Sequence, residues 1–133
     1  MPLMTKEAAK RLSALQLAFM GDTVCDLLTR TNLMFRDIKV KDMHTCATKI
    51  VNARAQAAAL ESVKHLLDED EADVVRRARN AHLGHNVPHA ASREEYLDAT
   101  GYEALMGYLY LTGQMRRAQL LYELSLIKEK SNA

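Results

Sequence analysis

Apolar residues between positions 15 and 30 fall at Leu17, Met20, Val24 and Leu27/Leu28, a spacing of three and four that predicts one face of a helix. Ser13 is placed to cap it, and the pattern fades near residues 30–32. Ahead of it lies a polar, basic lead-in, residues 1–12, with Thr5 capping a short helical turn. Residues 32–41 form a connection carrying Arg36, Lys39 and Lys41. Asp42 then caps a helix with apolar positions Met43, Cys46, Ala47, Ile50 and Val51. Asn52 restarts the pattern as an Ala-rich helix through Ala55, Ala59 and Val63 to Leu67. The acid run 68–73 supplies a cap, assigned to Asp70, and a negative first turn, while Arg76, Arg77 and Arg79 close that helix in the order the macrodipole favours. Residues 81–91, with Gly84 and Pro88, form an irregular loop. Ser92-Arg93-Glu94-Glu95 is a capping box opening a helix to about Thr112, with Gly113 as its C-cap. Residues 114–130 make a last amphipathic helix, with Leu120, Leu121, Leu124 and Ile127 predicted to face inward.

No internal repeat, low-complexity stretch or linker interrupts this series, so the expectation is one all-α domain over residues 1–133. Composition agrees: only 5 Gly and 2 Pro leave little material for a turn-rich sheet protein. The net charge of +1 does not advertise a nucleic-acid binder, but it averages over a segregation. Residues 68–73 carry five acids, and the rest of the chain sums to +6. Cys25 and Cys46 both lie in apolar-periodic helices and read as small buried hydrophobes rather than a disulfide. No signal peptide, lipidation site or membrane-spanning apolar run is visible, which points to a cytoplasmic protein with no membrane partner.

Two places in this pattern break its own rules. Asp22 follows Gly21 inside an apolar helix, where Gly costs about 1 kcal/mol relative to Ala and an ionised carboxylate needs a partner. Glu103 repeats the oddity, a single acid among apolar residues with Gly107 four positions on, on the same helix face. Two such helices crossing at their glycines would bring Asp22 and Glu103 together as oxygen ligands for Mg²⁺ or Mn²⁺. On spacing alone, two acids paired with basic side chains fit equally well.

The wording of the two stretches adds to this. Ala18-Phe19-Met20-Gly21-Asp22 resembles the Glu-Phe-Leu-Gly-Asp core of the ribonuclease III signature helix. Thr100-Gly101-Tyr102-Glu103-Ala104-Leu105-Met106-Gly107 resembles that family's second motif, Asp-x-x-Glu-Ala-x-x-Gly. Two family carboxylates are replaced, by Ala18 and Thr100, and the same replacements characterise the Mini-ribonuclease III branch, which lacks a double-stranded-RNA-binding domain. Gly21-Asp22-Thr23-Val24, His44 with Ala47-Thr48-Lys49, Ala53-Arg54-Ala55-Gln56-Ala57 and Arg77-Ala78-Arg79-Asn80-Ala81 also resemble that branch, so the likeness spans about residues 15–113. It departs mildly at Cys25 and Asp26, where the branch often has Tyr and Glu.

The resemblance implies an all-helical, dimeric endoribonuclease that cuts double-stranded RNA with a divalent metal and matures the ends of 23S ribosomal RNA precursor. Asp22 and Glu103 would then be the catalytic metal ligands, and Phe19 would pack into the partner subunit. Lys49, Arg54, Arg76, Arg77, Arg79 and Asn80 are the candidate RNA contacts, since A-form RNA is read mainly through its backbone. Asp26 is either an outer partner of the metal site or half of an exposed Asp26–Arg30 pair. His82, His85 and His89 have loose spacing and no cysteine beside them, which favours polar loop residues over a zinc site. The alternatives are a catalytically inactive relative that binds structured RNA and a helical interaction module. The natural cleavage site, the number of metals and any large-subunit ribosomal protein that presents the RNA stay open.

Overall fold

The structure, a computed structural model, describes residues 2–81 and 92–131. These form α1 (Lys6–Arg11), α2 (Ala14–Leu33), α3 (Val40–Ile50), α4 (Ala53–Val63), a 3₁₀ turn (Lys64–Leu66), α5 (Glu69–Asn80), α6 (Arg93–Leu111) and α7 (Met115–Ser131). No strand occurs among the described residues. The all-α expectation holds.

Several starts are written in the sequence. Ser13 and Gln16 form a reciprocal capping box at α2, as do Ser92 and Glu95 at α6, while Thr5 and Asn52 cap α1 and α4. Gly113 ends α6 with φ +76°, a backbone setting that favours glycine. Others differ from expectation. The cap of α5 is Asp68, not Asp70, because only Asp68 has a glutamate three residues on to answer it: Asp68 Oδ1 accepts from the Glu71 N–H at 2.8 Å and Glu71 Oε1 accepts from the Asp68 N–H at 2.9 Å. Asp70 instead pairs with Lys10 of α1 at 2.5 Å. Helix α3 starts at Val40 without a side-chain cap, which puts Asp42 in its first turn. Leu120 and Ile127 are exposed, since α7 packs on α4 and α6 chiefly through Ala118, Leu121, Tyr122 and Ser125, with Leu124 and Leu126 partly buried beside them.

The core gathers on α6. It contacts α2, α4, α5 and α7, and buries Leu97, Ala99 and nearly every residue from 100 to 109. A helix apolar on all sides belongs inside a domain. Helix α2 therefore lies against this centre rather than forming it: Leu17, Val24, Cys25 and Leu28 face inward, while Leu15, Phe19 and Leu27 face out. One charge is buried with the core. Glu71, 1% exposed, accepts from Arg117 Nε at 3.0 Å and Nη2 at 2.9 Å, and Arg117 also donates to the Leu66 carbonyl at 2.8 Å. Burial opposes the Glu71 charge, but these donors more than offset it and hold its pKa below the usual carboxylate range.

Where α2 crosses α6 the two backbones touch. A Cβ added at Gly21 would lie 1.5 Å from the Glu103 carbonyl oxygen, and one added at Gly107 would lie 2.0 Å from the Leu17 carbonyl oxygen. Each glycine thus makes room for the other helix's main chain. Intrinsic propensity favours Ala over Gly by about 1 kcal/mol, whereas overpacking at a backbone contact costs more than about 3 kcal/mol. Gly107→Ala is therefore expected to destabilise the protein strongly in urea or thermal unfolding. A variant that melts with or above the wild type would show that the helices can part at little cost.

Candidate active site

The glycine crossing sets two carboxylates side by side. Asp22 follows Gly21 on the exposed edge of α2, and Glu103, whose own backbone meets Gly21, turns a half-buried side chain toward it. Burial pushes the Glu103 pKa up to about 8, with the facing Asp22 carboxylate adding to the rise. Neither acid forms an ion pair with a basic side chain among the described residues. Of the two arrangements the spacing left open, the facing pair is the one present. Such a pair is an unneutralised negative centre at the surface, and it calls for a cation.

The surrounding positions show what this centre lacks. Ala18 is buried in the core, and Thr100, 5% exposed, donates its hydroxyl to the Tyr96 carbonyl at 3.0 Å within its own helix. Neither offers a further ligand, and no cluster of three or more His, Cys, Asp or Glu occurs among the described residues. Asp26 pairs with Arg30 at 3.1 Å along the helix surface. Cys25 and Cys46 are free thiols, and burial drives the Cys25 pKa far above its ordinary value, so it stays a neutral packing group.

One residue beside the acids was missed in the sequence. Gln56 of α4, 7% exposed, lies against both Glu103 and Cys25, and it works against the rise of the Glu103 pKa. Its signal was available: a polar residue in register with the buried Leu60 and Val63, at i, i+4 and i+7.

The candidate RNA contacts are spread over three helices and mostly engaged. Arg54 Nε is 3.3 Å from Glu95, and Arg76 is 2.5 Å from Asp73. Arg77 donates to the Leu12 carbonyl at 3.0 Å. Arg79 is forked between Glu94 at 2.7 Å and Asp98, tying the end of α5 to the start of α6. Asn80 is the exposed last residue of α5, and Lys49 sits in the last turn of α3 with its side chain outside the described set. His82, His85 and His89 lie outside the described residues.

Residues 15–114 match the Ribonuclease III domain family. The chain belongs to the ribonuclease III family. Within it, Mini-ribonuclease 3 of Symbiobacterium thermophilum is 47% identical over 107 residues, 80% of this chain and 82% of that protein. Mini-ribonuclease 3 of a Thermoanaerobacter species is 42% identical over 125 residues, 93% of this chain and 87% of that protein. An X-ray structure of a Fusobacterium nucleatum protein shares the fold with a TM-score of 0.75 at 25% identity, covering 92% of this chain and 96% of that one. This member of the ribonuclease III family is thus an endoribonuclease of the Mini-ribonuclease 3 branch. No helix among its described residues is long and apolar enough to cross a membrane.

The facing acids also make a stability test. Because folding raises the Glu103 pKa, its contribution is fully present below the unfolded value of about 4.3 and is lost as pH rises through about 8. In metal-free protein, Glu103→Gln removes that loss. The variant's melting temperature relative to wild type is expected to climb from about pH 5 to about pH 9. A difference that stays flat over this range would mean that Glu103 ionises in the folded chain as it does in the unfolded one.

Proposed function

We propose that this endoribonuclease hydrolyses double-stranded RNA as a symmetric homodimer, with Mg²⁺ or Mn²⁺ held by Asp22 and Glu103, and that it trims the stem at the ends of 23S ribosomal RNA precursor. The observation that carries the reading is the pair of facing carboxylates without a cationic partner among the described residues. Carboxylate oxygens are the ligands hard divalent cations take, and Mg²⁺ characteristically uses one or two of them. When bound, such a cation neutralises phosphate charge and activates water for attack on a phosphodiester.

The two acids divide the work by position. Glu103, half-buried against α4, is the fixed member; Asp22, exposed on α2, leaves an open side from which a phosphate can approach. Without the cation the pair repels RNA, so productive binding of duplex and of metal support each other. The duplex is held through its backbone. Arg54 and Arg76, with side chains 84% and 64% exposed, can exchange their surface acids for phosphates at little cost. Arg77 and Arg79 are tied more firmly, to a carbonyl and to two carboxylates.

Dimerisation explains the outer face of α2. Phe19 is 82% exposed, and Leu27, two turns on, is 53% exposed, with Leu15 in the same line. An aligned apolar stripe of this kind marks an interaction surface. A second copy docking there places one site per subunit and doubles whatever basic surface each offers.

Asp22→Asn and Glu103→Gln are each expected to abolish cleavage of a long RNA duplex in Mg²⁺ while the protein stays folded by circular dichroism, because size is kept and charge is lost. Duplex cleavage at the wild-type rate by Asp22→Asn would sink the mechanism. Phe19→Ala is expected to weaken self-association by on the order of a few kcal/mol through lost apolar burial, with the fold intact because the ring is outside the core. Sedimentation at micromolar concentration checks this; a monomeric wild type would contradict the assembly.

A further inference from the structure

The Gln56 side chain is an oddity that packing does not explain. It projects from α4 into the body of the domain, 7% exposed, among Ala57, Leu60 and Val63, which bury that face of the helix. Its Nε2 is fully enclosed and has no hydrogen-bond partner. A buried amide donor without a partner is destabilising, and a methionine of the same length would fill the space without that cost. The amide is aimed at something. Its neighbours are the Glu103 carboxyl on one side and, on the other, a cavity of about 20 Å³ that Cys25, Tyr102 and Ser125 also line. Tyr102, next to Glu103 in sequence, is 3% exposed, and its hydroxyl is likewise unpartnered. The unpartnered Gln56 amide thus flanks the half-buried carboxylate on one side while Asp22 faces it on another, and the Tyr102 hydroxyl lies at the cavity.

We propose that Gln56 is a positioning residue of the metal site: its amide N–H, unpartnered in the metal-free protein, donates to one oxygen of the Glu103 carboxylate when a cation is bound and so leaves the other directed at Asp22 and the cation. The inference rests on the reading of Asp22 and Glu103 as metal ligands and goes beyond it, because Gln56 touches neither RNA nor metal. The physical need is specific to this chain. Ala18 and Thr100 supply no carboxylate, so the centre has only two, and a long, flexible glutamate that must find its own rotamer loses affinity at each binding event. A donor fixed on a neighbouring helix removes that search. Such groups behind a ligand are worth about 10–100-fold in metal affinity. The small cavity on the far side has room for about one water, which suits the second end of the amide and the Tyr102 hydroxyl.

The test compares wild type, Gln56→Met and Asp22→Asn by Mn²⁺ titration of the RNA-free protein, read by electron paramagnetic resonance of unbound Mn²⁺. Gln56→Met is expected to bind Mn²⁺ about 10–100-fold more weakly than wild type while melting at or above it in chelator. Its duplex cleavage is expected to recover at high Mn²⁺ with KM for RNA unchanged, the pattern of a displaced ligand rather than a lost one. If Gln56→Met does not fold, Gln56→Leu, also apolar, gives the same comparison. Wild-type Mn²⁺ affinity in the folded Gln56 variant, with Asp22→Asn weakened, overturns this proposal alone. A wild type that binds no Mn²⁺, or that binds it equally well with and without Asp22, overturns the metal reading and this proposal with it.

Discussion

The side-by-side placement of Asp22 and Glu103 depends on the absence of two Cβ atoms. At the crossing of α2 and α6 the main chains meet directly, Gly21 against the Glu103 carbonyl and Gly107 against the Leu17 carbonyl. A side chain at either place would push the helices apart by the width of a methyl group. That separation would carry Asp22 away from Glu103, since each acid sits next to its own helix's contact point. The close approach therefore fixes a fold and a carboxylate spacing together. The helix-propensity penalty of the glycines is set against both.

The second constraint is electrostatic. Two carboxylates pressed together beside a low-polarity core, with no arginine or lysine among the described residues to answer them, destabilise the metal-free protein. Elsewhere the same chain neutralises its acids with care: Glu71 has Arg117, Asp98 has Arg79, Asp70 has Lys10. Against that habit the unanswered pair stands out as a local cost to stability, the kind of violation on which the proposed metal site rests.

The parts of this arrangement that were legible in the sequence are those with local causes. Capping boxes are four-residue statements, and Ser13 and Ser92 could be read directly. The two acid-and-glycine pairs stood out because they contradict their surroundings. What was not legible depends on ranking or orientation. In the acid run 68–73, Asp68 and Asp70 are both good caps by residue type, and the structure settles on Asp68 through its reciprocal bonds with Glu71. Helices α2 and α6 have similar apolar content, and periodicity cannot say which one the others surround. The exposure of Leu120 and Ile127 reflects which helices are present beside α7, a tertiary fact. Gln56 was hidden by its setting, because an amide in an Ala-rich helix reads as surface until the helix is docked.

The middle of α2 also says something about how freely such a sequence can drift. Leu17 and Ala18 fill the core, Phe19 stands out into solvent, Gly21 touches the neighbouring backbone, Asp22 faces Glu103, and Val24 and Cys25 return to the core. Of the nine positions from 17 to 25, Thr23 is exposed and carries none of these duties, and Met20 is only half-covered. Successive letters answer to different surfaces, so no substitution at one can be compensated by its neighbour along the chain. A stretch in this condition behaves like dense text with no redundancy. Its letters belong to separate words, and a change in any one of them is read on a different surface.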